Sequence, residues 1–318
     1  MSTPLVSIVV PLYNKEKYIL ECLQSVALQD FLNWQCIIVD DGSDDGSADL
    51  VDRFIKSTPG NWRLLRKKNG GPSSARNFGV LNSASEFIAF LDSDDIWMPN
   101  KLSKQIDLLR NSPDCLISLT DYVITRDFDS RVRGIRSSRS SNLLDRWLNL
   151  RGFGGLVEST GLVRRKVFDH GVYFDETLTT GEGLDFMLRI SILGRFCVVP
   201  DFLTIYRLSD GQLHKNEALI EINGRKLATK YASDPSSLGR IMRDQKTYFA
   251  ISKLRGLSKL GLFLRLIMCV MRLDLNVVSV ASSILVRNIR ANLDSRKVKK
   301  KVSNLKSSLS GKIANLSL

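Results

Sequence analysis

Three carboxylates, Asp92, Asp94 and Asp95, follow directly on the apolar run at residues 87–91. Such a run fits a strand buried on both faces of a helix-covered parallel sheet. Gathering several acids at one strand end is costly unless positive charge meets them. A divalent cation is the simplest partner, and hard oxygen ligands suit Mg2+ or Mn2+. An acidic turn ahead of a helix that starts near Pro99 accounts for the same residues without any chemistry. A second group of acids, Asp40 and Asp41, closes the buried strand read at residues 34–39. Two acidic strand ends on one crevice suit a nucleotide. One carboxylate accepts from the base or ribose, while the other group holds the metal that neutralises a diphosphate. No Walker lysine loop is present and no Gly-x-Gly-x-x-Gly follows the first strand, which argues against a dinucleotide.

The elements that must position these acids read as alternating strands and helices. Residues 5–10 form a short β-branched strand, expected to end at Pro11, with Tyr13 and Asn14 in the turn after it. Residues 16–29 carry apolar positions at Tyr18, Ile19, Cys22, Val26 and Leu28, the pattern of an amphipathic helix. The strand at 34–39 leads through a Gly-Ser-Asp-Asp-Gly-Ser turn, where Asp45 or Ser47 is placed to cap a helix at 48–55. A shorter strand at 62–65 and a Gly-Gly-Pro-Ser-Ser loop lead to a helix carrying Ala75, Arg76, Asn77 and Val80. The strand at 87–91 follows. This order predicts an α/β fold with a parallel, doubly wound sheet, and its ligand crevice lies beyond the carboxyl ends of the strands.

The 318 residues allow one large α/β domain with an appendage, or two domains. Hydrophobic content of 43% and charged content of 25% are ordinary for a chain that buries a core. The net charge of +13 is not, and it is concentrated after His214. A basic tail on a near-neutral body implies an anionic partner surface. The five cysteines are widely spaced, so reduced core thiols are expected and neither disulfides nor zinc. Residues 1–4 run straight into a strand, so no signal peptide is expected, and residues 257–286 are broken by charges too often to cross a bilayer.

Four motifs in order carry a family resemblance: Pro11-Leu12-Tyr13-Asn14-Lys15, Val39-Asp40-Asp41-Gly42-Ser43, Ala75-Arg76-Asn77-x-Gly79 and Phe90-Leu91-Asp92-Ser93-Asp94-Asp95. Together they resemble family 2 glycosyltransferases of the GT-A fold, over roughly residues 4–213. Phe174-Asp175-Glu176, the stretch from Thr180 to Arg189, and Tyr206-Arg207 extend the likeness. The resemblance implies an inverting transfer from a nucleoside-diphosphate sugar, usually a UDP-sugar, to a glycan or lipid-linked acceptor in cell-surface polysaccharide synthesis. It implies that Pro11 and Tyr13 line the nucleotide site, with Tyr13 packed on the base, and that Asp40 and Asp41 hydrogen-bond that base. Arg76 would lie near the diphosphate or sugar. Asp92 and Ser93 would face ribose and sugar, and Asp94, with Asp92, would hold Mn2+ or Mg2+.

The likeness breaks at the catalytic base. The family usually shows Glu-Asp where this chain has Glu182-Gly183, and a glycine cannot take a proton. Glu182 is ranked first as the replacement and Asp185 second. Both also suit the acidic first turn of a helix. A nucleotide-sugar-binding pseudo-transferase without a competent base is the alternative function. Many relatives carry a histidine where Ser209 stands here. The reading divides the chain into a transferase domain at 1–214 and a basic helical region at 215–318. At 254–293 apolar and basic positions alternate with helical spacing, which suits either a membrane-surface helix or a helical subdomain with a solvated basic face. The Ser-rich stretch with Arg126, Arg131, Arg133, Arg136 and Arg139 reads most simply as a mobile loop; lying over the crevice, it could help bind an anionic acceptor or diphosphate. Nothing resembles a nucleic-acid recognition motif. The expected location is cytoplasmic, peripheral on the inner face of the plasma membrane.

Overall fold

The computed structural model describes residues 3–126, 133–135, 137, 157–209 and 217–231. The stretch at 254–293 expected to be helical, His214, and Arg131, Arg136 and Arg139 lie outside the described residues. The first half follows the alternation read from sequence. It runs β1 (Val6–Leu12), α1 (Ile19–Ala27), β2 (Trp34–Asp40), α2 (Ser47–Ser57), β3 (Trp62–Arg66), α3 (Gly71–Leu81) and β4 (Phe87–Phe90). Strands β1, β2 and β4 are buried along their whole length, as their largely apolar sequences lead one to expect, with Ser7, Gln35 and Asp40 the buried polar exceptions. Pro11 does not end β1, contrary to expectation. The β1–β4 ladder stops at Val9↔Phe90, so the missing N–H of Pro11 costs no ladder bond on that side.

The second half adds β5 (Ile96–Trp97), α4 (Lys101–Arg110), β6 (Cys115–Thr125), β7 (Arg133–Ile135), a 3-10 turn at Glu158–Thr160, β8 (Leu162–Arg164), α5 (Lys166–Asp169), α6 (Glu182–Leu193), β9 (Arg195–Arg207) and α7 (Glu217–Tyr231). Among the described residues the strands form one sheet, ordered β3-β2-β1-β4-β8-β6-β9-β5, with β7 on β6. The β3-β2-β1-β4 half is parallel, and β8 enters antiparallel between β4 and β6.

Gly79 sets the distance between α3 and the sheet. A Cβ there would meet Val9 Cγ1 at 2.4 Å and Val39 Cγ2 at 3.3 Å, so only glycine lets α3 lie this close to β1 and β2. One turn earlier, Arg76 reaches the carboxyl ends of the strands. Asn77 ties the same helix to the second half: its Nδ2 donates to Phe174 O (3.0 Å) and Glu176 Oε1 (2.8 Å), and Phe174 N donates to its Oδ1 (2.9 Å). Beneath Arg76, the rings of Phe90, Phe168, Phe174 and Phe186 pack together.

Helix α7 follows residue 214, the boundary expected from composition, yet it shares the first unit's core. Leu227 is buried against Phe174, Leu178 and Phe186, and Asn223 donates to Thr179 Oγ1 (2.9 Å). Cys115 and Cys197 correct the expectation of free thiols. They form a disulfide between neighbouring strands β6 and β9, with Cα atoms 6.0 Å apart. Their separation of 82 residues gave no hint that β6 and β9 would pair. Cys22 and Cys36 are free and buried, and burial pushes both thiols up.

Candidate active site

The carboxyl ends of β1, β2 and β4 carry Tyr13, Asp40 and Asp41, and Asp92 with Asp94. Two poles result. At the β2 pole, Asp41 accepts from Gly71 N (2.7 Å), from Gly70 N (3.0 Å) and from Lys67 Nζ (2.6 Å). Its carboxylate thereby satisfies the first N–H groups of α3, where the helix dipole also favours an anion. Asp40 Oδ1 accepts from Ser43 N at 3.0 Å and fixes the turn after β2. Across it, Asn14 adopts φ 51° and Asp44 N donates to its Oδ1 at 3.0 Å. Tyr13 stands beside these residues with 47% of its surface exposed, an open aromatic face in an otherwise buried strand end. Pro11 is buried below it in β1.

At the β4 pole, Arg76 is 3% exposed and forks between two acids. It donates to Asp92 Oδ1 at 2.6 Å and to Glu182 Oε1 at 3.2 Å, and its guanidinium lies 5.2 Å over the Phe174 ring. Burial works against its charge, but Asp92, Glu158 and Glu182 outweigh that and hold it protonated. Asp94 Oδ2 accepts from Lys15 Nζ (2.8 Å) and Ser209 Oγ (2.5 Å). Ser93 is buried in the turn between them. Asp95 is fully buried and structural: Ser159 Oγ donates to its Oδ2 (2.6 Å) and Arg207 N to its Oδ1 (3.0 Å). Burial, then Asp94 and Asp92, push its carboxyl up.

The residues expected at one site thus gather there, with one exception. Asp185 is wholly buried one helical turn on from Glu182, held by Arg189 (2.6 Å), Lys230 (2.7 Å) and the Tyr231 hydroxyl (2.7 Å). These ties join α6 to α7, and the structure does not bring Asp185 to the crevice. Glu182 does begin α6 and faces the crevice, bound to Arg76.

Three contributors went unread in the sequence. Lys15 stood inside a motif without a role. Lys67 follows β3 with no distinguishing pattern. Glu158 is a lone acid in the 3-10 turn, and no spacing connects it with Asp92 or Glu182. Burial pushes its carboxyl up to about 7 and Arg76 opposes this, while Glu182 and Asp92 add to the rise.

The donor set at Asp94 is oxygen only: the carboxylates of Asp92 and Asp94, with Ser93 between them, and the Ser209 hydroxyl. That chemistry fits Mg2+ or Mn2+, which keep several waters and take one or two carboxylates together with substrate phosphates. Among the described residues no group of three or more His, Cys, Asp or Glu side chains is placed to hold a metal by itself. Substrate oxygens would therefore have to complete the shell, and Lys15 would have to leave Asp94 Oδ2.

The model of the family described as Glycosyl transferase family 2 matches residues 7–172. The putative teichuronic acid biosynthesis glycosyltransferase TuaG of Bacillus subtilis is 37% identical over 119 residues, covering 37% of this chain and 47% of TuaG. The glycosyltransferase GlyG of Streptococcus pneumoniae is 28% identical over 232 residues, 67% of this chain and 74% of GlyG. The chain spans less than half the length of TuaG and smaller shares of several other relatives that it matches. Among solved structures, S. aureus TarS 1-349 in complex with UDP-GlcNAc superposes with a TM-score of 0.59 at 23% identity, covering 74% of this chain and 70% of TarS 1-349. The mannosyltransferase PcManGT of Pyrobaculum calidifontis, in complex with GDP-Man and Mn2+, gives a TM-score of 0.58 at 15% identity, covering 93% of this chain and 89% of that one. These likenesses show a GT-A type fold, and the family match over more than half of the sequence shows that the chain belongs to glycosyl transferase family 2.

Proposed function

We propose that the chain is an inverting glycosyltransferase. It moves a sugar from a nucleoside-diphosphate sugar, a UDP-sugar first among them, to a hydroxyl of a glycan or lipid-linked acceptor in cell-surface polysaccharide synthesis. The observation that carries this is the pairing of an open aromatic face with a charged cluster on one crevice. Tyr13 offers its ring to a base at the β2 pole, and Asp41 holds the Gly70–Gly71 turn that borders it. At the β4 pole Arg76, Lys15 and the acids Asp92 and Asp94 suit a diphosphate.

Asp94 and Asp92, with the Ser209 hydroxyl, would hold Mn2+ or Mg2+, which supplies Lewis-acid stabilisation of the diphosphate as it leaves. Arg76 would orient Asp92 and add fixed positive charge without reorganising. Lys15, once released from Asp94, has the reach and charge to meet a phosphate oxygen. The acceptor hydroxyl still needs a base, and Asp185 is committed to Arg189 and Lys230. Glu182 would have to surrender Arg76 to serve.

The test is a donor panel of UDP-sugars and GDP-mannose with Mn2+, read as release of nucleoside diphosphate and as calorimetric affinity for UDP and GDP. Release from at least one donor is expected. Binding without release from any donor or to any acceptor would favour the pseudo-transferase. Neither binding nor release would refute both.

Among the described residues no helix is long and apolar enough to cross a membrane. The basic region beyond α7 would hold the enzyme on the anionic cytoplasmic face of the membrane. Because α7 belongs to the core, the informative truncation ends after Tyr231. It should stop sedimenting with anionic vesicles, and equal sedimentation of both forms would exclude the anchoring role.

A further inference from the structure

We propose that Glu158 is the general base of the transfer, seated in a notch that Gly183 leaves in the first turn of α6; this rests on the transferase reading above. A Cβ on residue 183 would stand 1.5 Å from Glu158 Oε1, 2.4 Å from its Cδ and 3.1 Å from its Cγ. The Glu158 carboxyl therefore fills the volume that any side chain at 183 would need. Its presence there and the glycine are one arrangement, because neither tolerates a larger neighbour.

The other carboxylates at this end of the sheet are occupied. Asp92 and Glu182 share Arg76. Asp94 accepts from Lys15 and Ser209. Asp95 accepts from Ser159 and the Arg207 N–H. Among the described residues no guanidinium, ammonium or hydroxyl is bonded to the Glu158 carboxylate. It nonetheless belongs to the same cluster, since its charge acts on Arg76 and the charges of Glu182 and Asp92 act on it.

The turn that presents Glu158 is fixed to the acidic strand end. Ser159 Oγ accepts from Asp92 N at 3.0 Å and donates to Asp95 at 2.6 Å. Ser159 O accepts from Trp97 Nε1 at 2.7 Å. A carboxylate so placed meets the requirement for general-base work: beyond the hydrogen bond from its own backbone N–H, it keeps lone pairs for a proton, on a rigid support beside Arg76.

In the step, the acceptor O–H bond breaks and its proton goes to a Glu158 oxygen. The acceptor oxygen's electron pair forms the bond to the anomeric carbon. The bond from that carbon to the phosphate oxygen breaks, and its electron pair leaves with the nucleoside diphosphate. Glu158 returns the proton to solvent after the products depart. Glu182, on this account, is a positioning residue that holds Arg76 to the cluster.

The experiment compares Glu158→Gln, Glu158→Ala, Gly183→Asp and the double variant Glu158→Ala/Gly183→Asp in the full chain. The probe is whichever donor of the panel the parent enzyme turns over, with UDP or GDP affinity and melting temperature measured alongside. Glu158→Gln and Glu158→Ala should lower kcat about 100-fold while nucleotide affinity stays within about threefold. Gly183→Asp alone should melt lower, because two carboxyls claim one volume, and loss of the Glu158 side chain should restore the melting temperature. The double variant returns a carboxylate to the notch and should regain at least about tenfold over Glu158→Ala. The assignment is overturned if Glu158→Gln keeps parental kcat. It is also overturned if kcat and nucleotide affinity fall together, or if the double variant is as slow as Glu158→Ala. A parent that neither binds UDP or GDP nor releases either from a donor refutes the transferase reading instead, a result distinct from all of these, and takes the base assignment with it.

Discussion

Lys15→Met tests the cation pocket without relying on turnover. The Lys15 ammonium donates to Asp94 Oδ2 at 2.8 Å, with side chains 20% and 9% exposed. A hydrogen bond between charged partners contributes about 1.5–3 kcal/mol. The lysine is one-fifth exposed, so the low end applies after solvent screening. A divalent ion settling on Asp94 must first displace that ammonium. Removing the competitor should therefore tighten Mn2+ binding by about 1.5 kcal/mol, or about tenfold. Methionine keeps much of the stem volume, so the packing against Tyr18, 5.9 Å from the ammonium, changes little. The measurement is Mn2+ titration of the free protein by calorimetry or by relaxation of water protons, with no nucleotide present. In metal-free buffer Lys15→Met should melt lower than the parent, because Asp92, Asp94 and Asp95 lose a neutralising charge. Added Mn2+ should restore it by mass action. Unchanged or weaker Mn2+ affinity would refute the idea that ion and ammonium compete for Asp94.

Three further outcomes are expected. Asp94→Asn should cost on the order of 3 kcal/mol of transition-state stabilisation with little change in melting temperature, read as kcat/KM over an Mn2+ series; undiminished parental activity in excess chelator would remove the metal from the scheme. Arg76→Lys should destabilise the fold by about 3 kcal/mol, because one ammonium cannot fork between Asp92 and Glu182, and denaturant melts compare it with the parent. Burial lifts the Glu158 carboxyl from the usual 4.5 to about 7. Activity needing its anion should therefore climb as pH rises through about 7. The raised value also means that the stability it contributes is complete below the ordinary carboxyl range and is lost as pH rises through about 7, a slope that Glu158→Gln should flatten in pH-dependent melts.

The strand ends were legible because their signals are local. The apolar run before Asp92 is buried on both sides, as its composition demands, and Arg76 and Gly79 sit one turn apart on the helix that the loop chemistry announces. What escaped was decided by long-range contact. Glu158 meets Gly183 only because the 3-10 turn and α6 converge under the sheet. Cys115 meets Cys197 only because β6 and β9 are neighbours. Asp185 looked like a site acid because it shares a first turn with Glu182, and three residues put it only about 60° round the helix from that residue, but Arg189, Lys230 and Tyr231 claim it. Lys15 was hidden for a different reason: a lysine after a turn is ordinary until the fold shows which acid lies within its reach.

The turn at Glu158–Thr160 has a consequence for how this protein can diversify. Its hydroxyl and carbonyl at Ser159 are fastened to Asp92, Asp95, Trp97 and Thr204, and Thr160 Oγ1 closes back on Val157 O at 2.6 Å. The stretch that enters this turn is itself tied to the sheet, through β7 on β6 and through Ser137, which donates to Asp121 Oδ1 and Thr120 O. A single replacement at Ser159 loosens the support of Glu158 and of the acidic strand end in one event. Chimeras of this protein should leave residues 157–161 in place.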